Sequence, residues 1–336
     1  MSDGKRESGA VPLPVLTRLK LFLSELITYL TTRSDGSLNR RLFNLLDLKA
    51  SAPSTKLIDT SHVTTSDITV DPSRNLWFRL FTPASSTSTS TSAPVPLIVY
   101  FHGGGFSKYA PDSKVFDHLC SHLAARVPAV VASVNYRLAP DHKHPCQYED
   151  GFDVLRFIDA RPSLVNADIG RCFVGGDSAG GNIAHHVTVR AVEEVEQFGV
   201  MRIVGLLGLQ PFFGGEERTE SEVRLTKVPG RMDRYWRDFL PEGSDRDHPA
   251  ANVWGTGRDV TDLLRFPPCL VVVGGRDPLQ DWQRRYVEWL RTCGKRVLVV
   301  HYPNAFHAFY AFPELPDFHL FLHDVASFVR EQLNSC

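Results

Sequence analysis

The chain has 336 residues, a formal net charge of −1, and 43% hydrophobic against 22% charged residues. That length supports one large α/β domain whose core needs no staples. The near-neutral charge, with no basic stripe, excludes the electrostatic footprint of a nucleic-acid binder. Cys120, Cys146, Cys172, Cys269, Cys293 and Cys336 are scattered without metal-like or redox-like spacing. Cys172 and Cys269 fall in strand patterns and read as small buried apolar residues, which fits a reducing compartment. The expected location is the cytoplasm, with the nucleus as a second one.

Near the N-terminus, residues 15–27 carry charges inside an apolar run, which argues against both a signal peptide and a membrane span. Leu16, Leu19, Leu23, Leu26 and Ile27 instead predict a helix with one apolar face. Residues 76–81 read as an early strand. The serine- and threonine-rich stretch that follows, about 84–94, has nothing to bury and predicts a disordered hairpin tip.

Residues 96–101 form an apolar, β-branched run of the kind seen in buried parallel strands. Directly after it comes His102-Gly103-Gly104-Gly105-Phe106. Consecutive glycines at a strand end can bring bare backbone N–H groups up to a reacting oxygen. His102 is read as shaping that loop rather than as a base. Further on, His142 and His144 flank a lysine, but no Cys or carboxylate cluster completes a site, so no metal is expected.

The most informative stretch is Gly176-Asp177-Ser178-Ala179-Gly180. It separates a buried-strand pattern ending near Gly175 from a segment that reads as helix. A serine between two glycines at such a corner fits a nucleophile elbow, with its hydroxyl exposed above the sheet. The N–H of Ala179, with those of Gly103, Gly104 and Gly105, then predicts an oxyanion hole for acyl transfer.

A serine nucleophile needs a base and an acid that orients the base. Residues 269–275 form another buried-strand pattern and lead into Asp277; residues 296–300 form a further one, and the loop beyond carries His307. Both candidates sit past strand C-termini, where open α/β sheets place their sites. Asp277 could instead cap a helix beginning at Pro278, with Asp281 as the rival acid; His301, at a strand end, is the rival base. The set Ser178, Asp277 and His307 is preferred. Between the elbow and the acid lie residues 210–215 and 232–239, an aromatic-rich insertion placed to cap a pocket.

These motifs together resemble the plant carboxylesterases of the hormone-sensitive-lipase group of α/β-hydrolases. The resemblance rests on residues 102–106, on Asn135-Tyr136-Arg137-Leu138-Ala139-Pro140, on residues 176–182, on Asp277-Pro278-Leu279 and on His307. It runs from about Arg33 to near the C-terminus. One departure is Asp141, where the family usually carries glutamate. The resemblance implies an α/β-hydrolase fold with a mostly parallel central sheet, helices on both faces and an N-terminal helical lid over residues 1–50. The catalytic domain would occupy residues 51–336. It also implies catalytic roles for Ser178, Asp277 and His307.

Segment 33–40 is similar to the gibberellin receptors, a non-enzymatic branch of the same group, and segment 240–250 resembles a stretch shared by those receptors and related esterases. In that branch an aliphatic residue replaces the histidine and a serine replaces the third glycine of the loop. His307 and Gly105 are both retained here, which favours an enzyme. The expected function is hydrolysis of small to medium uncharged esters, with plant metabolites as the class implied, without a cofactor. Phe106, Asp177, Asp233 and Tyr310 are the expected pocket residues; Tyr310 aligns with a ligand-contacting tyrosine of the receptors. The alternatives are a dehydratase or cyclase on the same scaffold, or a receptor-like binder of a small molecule. No protein partner is expected unless the chain acts as a receptor.

Overall fold

A computed structural model of the chain describes residues 13–84, 95–127, 129–226, 228, 230–255 and 260–335. The serine- and threonine-rich loop, apart from Ala84, lies outside the described residues. The strands are β1 (Ser54–Ile58), β2 (Ser61–Asp71), β3 (Leu76–Pro83), β4 (Pro96–Phe101), β5 (Val130–Val134), β6 (Asp168–Asp177), β7 (Ile203–Leu209), β8 (Cys269–Gly274) and β9 (Val297–Tyr302). They form one sheet in the order β1-β2-β3-β5-β4-β6-β7-β8-β9. The pairings from β1 to β3, and between β3 and β5, are antiparallel. All those from β5 onward are parallel.

The apolar runs of β4, β5 and β8 are buried along their whole length, because helices cover both faces. Alternate residues of β4 still go to opposite cores. Leu97, Val99 and Phe101 join α4 (Cys146–Ala160), α5 (Ala179–Glu193) and α8 (Gln280–Thr292) through Phe152, Ile183 and Trp282. Ile98 and Tyr100 join α3 (Lys114–Arg126) and α9 (Pro316–Ser335) through Leu119 and Phe321. The α/β-hydrolase architecture expected from the sequence is the one observed. Cys172 and Cys269 are buried in it, and Cys120 and Cys293 with them.

Three local expectations are corrected. The loop after β3 does not close a hairpin, because β5 lies between β3 and β4. The helix after Asp277 begins at Gln280 rather than Pro278. The apolar face of α1 (Val15–Leu30) points largely to solvent, with Leu16, Leu19 and Leu23 all exposed. What docks α1 is its other side. Thr17 is buried and donates to Glu314 Oε1 at 3.0 Å, Lys20 reaches Glu314 Oε2 at 2.9 Å, and Leu13 and Leu21 pack on the α3–α9 core. The polar anchor at Glu314 sets the rotation of the helix. Among the described residues no helix is long and apolar enough to cross a membrane.

Candidate active site

Ser178 stands between the last residue of β6 and the first of α5, with φ 51° and ψ −119°. A side chain in this conformation costs on the order of 1–3 kcal/mol and persists only where its surroundings hold it. Here the Ser178 N–H donates to the Leu209 carbonyl at 2.9 Å, and the Ser178 carbonyl accepts from Phe212 N–H at 2.8 Å. The turn also needs a bare backbone at Gly180, where a Cβ would collide with the Phe101 carbonyl. The glycine spacing of the motif therefore follows from helix α5 pressing against the end of β4.

β8 and β9 deliver the other two groups. Ser178 Oγ lies 3.0 Å from His307 Nε2, and His307 Nδ1 lies 2.9 Å from Asp277 Oδ2. An ionised carboxylate only accepts, so Nδ1 carries the proton and Nε2 is left to accept from the serine hydroxyl. Asp277 is fully buried, and both its oxygens are engaged. Oδ1 accepts Leu279 N–H at 2.9 Å, while Oδ2 also takes Gln283 Nε2 at 2.8 Å. Asp277 therefore does not cap α8, whose N-cap is Leu279; one of its oxygens holds the turn before the helix and the other faces His307. Asp281 instead accepts Ser221 N–H at 2.8 Å, and His301 faces Arg284 at 3.4 Å.

Burial alone would lower the His307 pKa. The charge and hydrogen bond of Asp277, with the charge of Asp177, outweigh it and raise the imidazole above its ordinary value. The buried His102 has no such partner. Burial pushes it down to about 4, and its ring Nδ1 pairs with the Gly103 carbonyl at 2.8 Å.

The four expected oxyanion donors are not equivalent. Gly103 N–H donates to Asp177 Oδ1 at 2.8 Å and is not free to meet a substrate, which corrects its assignment. Gly104 and Gly105 have φ of 116° and 61°, and among the described residues their N–H groups have no protein acceptor. Ala179 is the first residue of α5, so its N–H has no carbonyl one turn earlier to bond.

The expected pocket residues are spread over different environments. Asp177 is buried and holds the glycine loop: besides Gly103 it accepts Tyr100 Oη at 2.6 Å and Tyr310 Oη at 3.3 Å. Burial raises its pKa to about 6 against the pull of those hydrogen bonds. Tyr310 is therefore buried behind the loop, as its bond to Asp177 requires. Phe106 is wholly buried too, stacked on Phe239 with ring centroids 3.7 Å apart. Asp233, on α7 (Arg231–Phe239), is clamped by Arg218 at 2.7 Å and Arg246 at 2.9 Å. Arg246 also reaches Glu222 at 2.7 Å, on α6 (Glu220–Leu225), so this network fixes the cap helix.

Sequence reasoning missed Gln283 and Gln210. Gln210 accepts Ala308 N–H at 2.7 Å and steadies the turn that carries His307. The one available signal was an amide side chain beside an apolar strand end, which is weak. Among the described residues no group of three or more His, Cys, Asp or Glu is placed to hold a metal ion.

Residues 98–311 match a family model described as alpha/beta hydrolase fold. The chain is 39% identical over 336 residues to gibberellin receptor GID1C of Arabidopsis thaliana, covering 95% of each. It is 36% identical over 280 residues to carboxylesterase 20 of the same plant, covering 80% of this chain and 84% of the relative. Among solved structures, a hyperthermophilic esterase from the archaeon Pyrobaculum calidifontis superposes with a TM-score of 0.76 at 26% identity, covering 96% of this chain and 99% of that one. The chain belongs to the α/β-hydrolase fold family, in the hormone-sensitive-lipase-type group shared by plant carboxylesterases and gibberellin receptors.

Proposed function

We propose that the protein is a serine carboxylesterase acting on small to medium esters of plant metabolites. The observation that carries this reading is the unbroken hydrogen-bond chain from Ser178 through His307 to buried Asp277. His307 Nε2 takes the hydroxyl proton as Ser178 Oγ attacks the ester carbonyl. Asp277 stabilises the imidazolium that forms. The oxyanion is met by the N–H groups of Ala179, Gly104 and Gly105, each donor contributing about 3 kcal/mol in comparable hydrolases. Collapse of the tetrahedral intermediate breaks the C–O bond, and the alcohol leaves with the proton from His307. Water, deprotonated by His307, then releases the acid from the acyl-serine. The described part of the N-terminal segment, residues 13–50, acts as a lid: Arg40, in α2 (Arg40–Leu46), donates to the Ser107 carbonyl at 2.8 Å, beside the glycine loop.

A second reading, a small-molecule receptor, is favoured by the 39% identity to a gibberellin receptor. A burst assay with p-nitrophenyl butyrate separates the two. An esterase gives a stoichiometric burst followed by turnover, both lost in Ser178→Ala. A folded wild-type protein that gives no burst and no turnover sinks the esterase reading and favours the receptor.

A further inference from the structure

We infer that Lys108 recognises a carboxylate on the substrate, so that the preferred esters are anionic rather than uncharged. This deepens the esterase reading and rests on it. Lys108 is only 7% exposed, yet among the described residues no carboxylate pairs with its ammonium. Lys20 pairs with Glu314, Lys49 with Asp47 and Asp112, and Lys56 with Asp117, while Lys143 and Lys295 donate to backbone carbonyls. The Lys108 ammonium sits instead between two rings, 5.6 Å from the centroid of Phe43 and 5.8 Å from that of Tyr235. Ring faces attract a cation, but they compensate a buried charge less well than an anion does.

The position is adjacent to the reacting groups. Lys108 N–H donates to the Gly104 carbonyl at 3.2 Å. Tyr235 lies directly on the glycine loop, where a Cβ at Gly105 would run into its ring. On its other side Tyr235 meets Phe212, with ring centroids 6.4 Å apart, and Phe212 N–H is bonded to the Ser178 carbonyl. Tyr235 and Phe212 thus link Lys108 to the Ser178 turn.

Several cations act on Tyr235 together. Burial would raise the Tyr235 phenol, but Lys108, Arg231 and Arg234 bring it below its ordinary value. Asp233, on the same helix, does not neutralise them, because Arg218 and Arg246 hold it. An ammonium has three donors, and Tyr235 engages one. A single carboxylate matches what remains: one negative charge, two acceptor oxygens, and an apolar body against Phe43 and Tyr235.

The test compares matched esters that differ only by the charge. On the acyl side the pair is mono-p-nitrophenyl adipate and p-nitrophenyl hexanoate; on the alcohol side it is p-acetoxybenzoate and its methyl ester. In at least one pair, wild type is expected to favour the anion in kcat/KM by roughly tenfold or more. Lys108→Met should lower that ratio by on the order of 10- to 100-fold, chiefly through KM, and Lys108→Arg should retain most of it. Lys108→Gln replaces the methionine variant if the latter does not fold. Ratios unchanged in both pairs would overturn the inference and leave Lys108 as a rivet between α2 and α7. If wild type hydrolyses none of the four esters, the esterase reading fails by itself. Calorimetry with monomethyl adipate then decides the Lys108 question: binding weakened about tenfold in Lys108→Met supports it, while equal or absent binding overturns it.

Discussion

The floor of the site, at the ends of β4, β6 and β8, fixes its groups through buried carboxylates and backbone, whereas the proposed roof, α1, α2 and α7, combines the buried rings of Trp236 and Phe239 with a few long, partly exposed side chains. On the floor, Asp277 is completely buried with both oxygens engaged, and Asp177 accepts three hydrogen bonds. On the roof, Arg234 reaches the Gly36 carbonyl at 2.9 Å, Arg40 reaches Ser107, and Lys20 reaches Glu314 across partly exposed ground. A reaction needs its groups held to fractions of an ångström, and buried, fully bonded carboxylates provide that. Substrate selection needs a surface that can vary, and long side chains over a rigid sheet allow it. On the proposed reading, chemistry belongs to the floor and specificity to the roof.

The comparison breaks most severely at the serine. Ser178→Ala is expected to lower kcat by on the order of 10⁴-fold or more while thermal unfolding stays close to wild type. Equal losses in activity and stability would show that the elbow serves the fold rather than a reaction. Asp177→Asn tests the floor more finely. It removes the negative charge that helps raise His307, so the acid limb of the kcat/KM profile should move to lower pH. It also loosens the glycine loop, so kcat should fall by roughly 10- to 100-fold. An unchanged acid limb would mean that Asp277 alone sets the histidine.

Acid should weaken the fold through its buried histidines. His102 is held at about 4 and His186 at about 3 by burial, against an ordinary value of 6.5. His185 is lowered as well, again by burial. Protons below pH 6.5 therefore bind the unfolded chain first, and each such histidine removes about 1.4 kcal/mol of stability per pH unit until its folded value is reached. Asp177 acts in the opposite sense. Its folded value of about 6 lies above its ordinary 3.8, so acidification between those values favours the folded state. The histidines outnumber it, so denaturant midpoints should fall steadily from pH 6.5 toward pH 4. A flat profile over that window would show that these rings are solvated in the folded protein.

The same division explains what the sequence could disclose. β4, β8 and the second half of β6 are apolar runs followed closely by Gly103, Asp277 and Ser178, so their loops and their order are legible without coordinates. His307 could be preferred over His301 because only one lies beyond its strand. Gly103, Gly104 and Gly105 look alike as letters; only the approach of Asp177 separates the bonded N–H from the others. The roof was less readable. Phe106 and Tyr310 have the composition of pocket residues but are buried by Phe239 and Asp177, partners far away in sequence. The rotation of α1 was hidden for the same reason, since Glu314 selects Thr17 and Lys20 over the leucine stripe.

That last contact gives the smallest expected effect and the sharpest statement about the roof. Glu314 is held below its ordinary value: burial opposes this, and the Lys20 and Thr17 hydrogen bonds overcome it. Lys20 remains 40% exposed, so the pair contributes at most about 1 kcal/mol. Glu314→Gln should therefore leave the global unfolding midpoint almost unchanged. Local opening of α1 costs much less than global unfolding, and the same small loss is a large fraction of that cost. Limited proteolysis between α1 and α2, around residues 31–39, should speed up several-fold in the variant, with kcat for a small neutral ester unaltered. Cleavage at the wild-type rate would mean that Leu13 and Leu21 alone dock the helix, and that the roof is held by packing as the floor is.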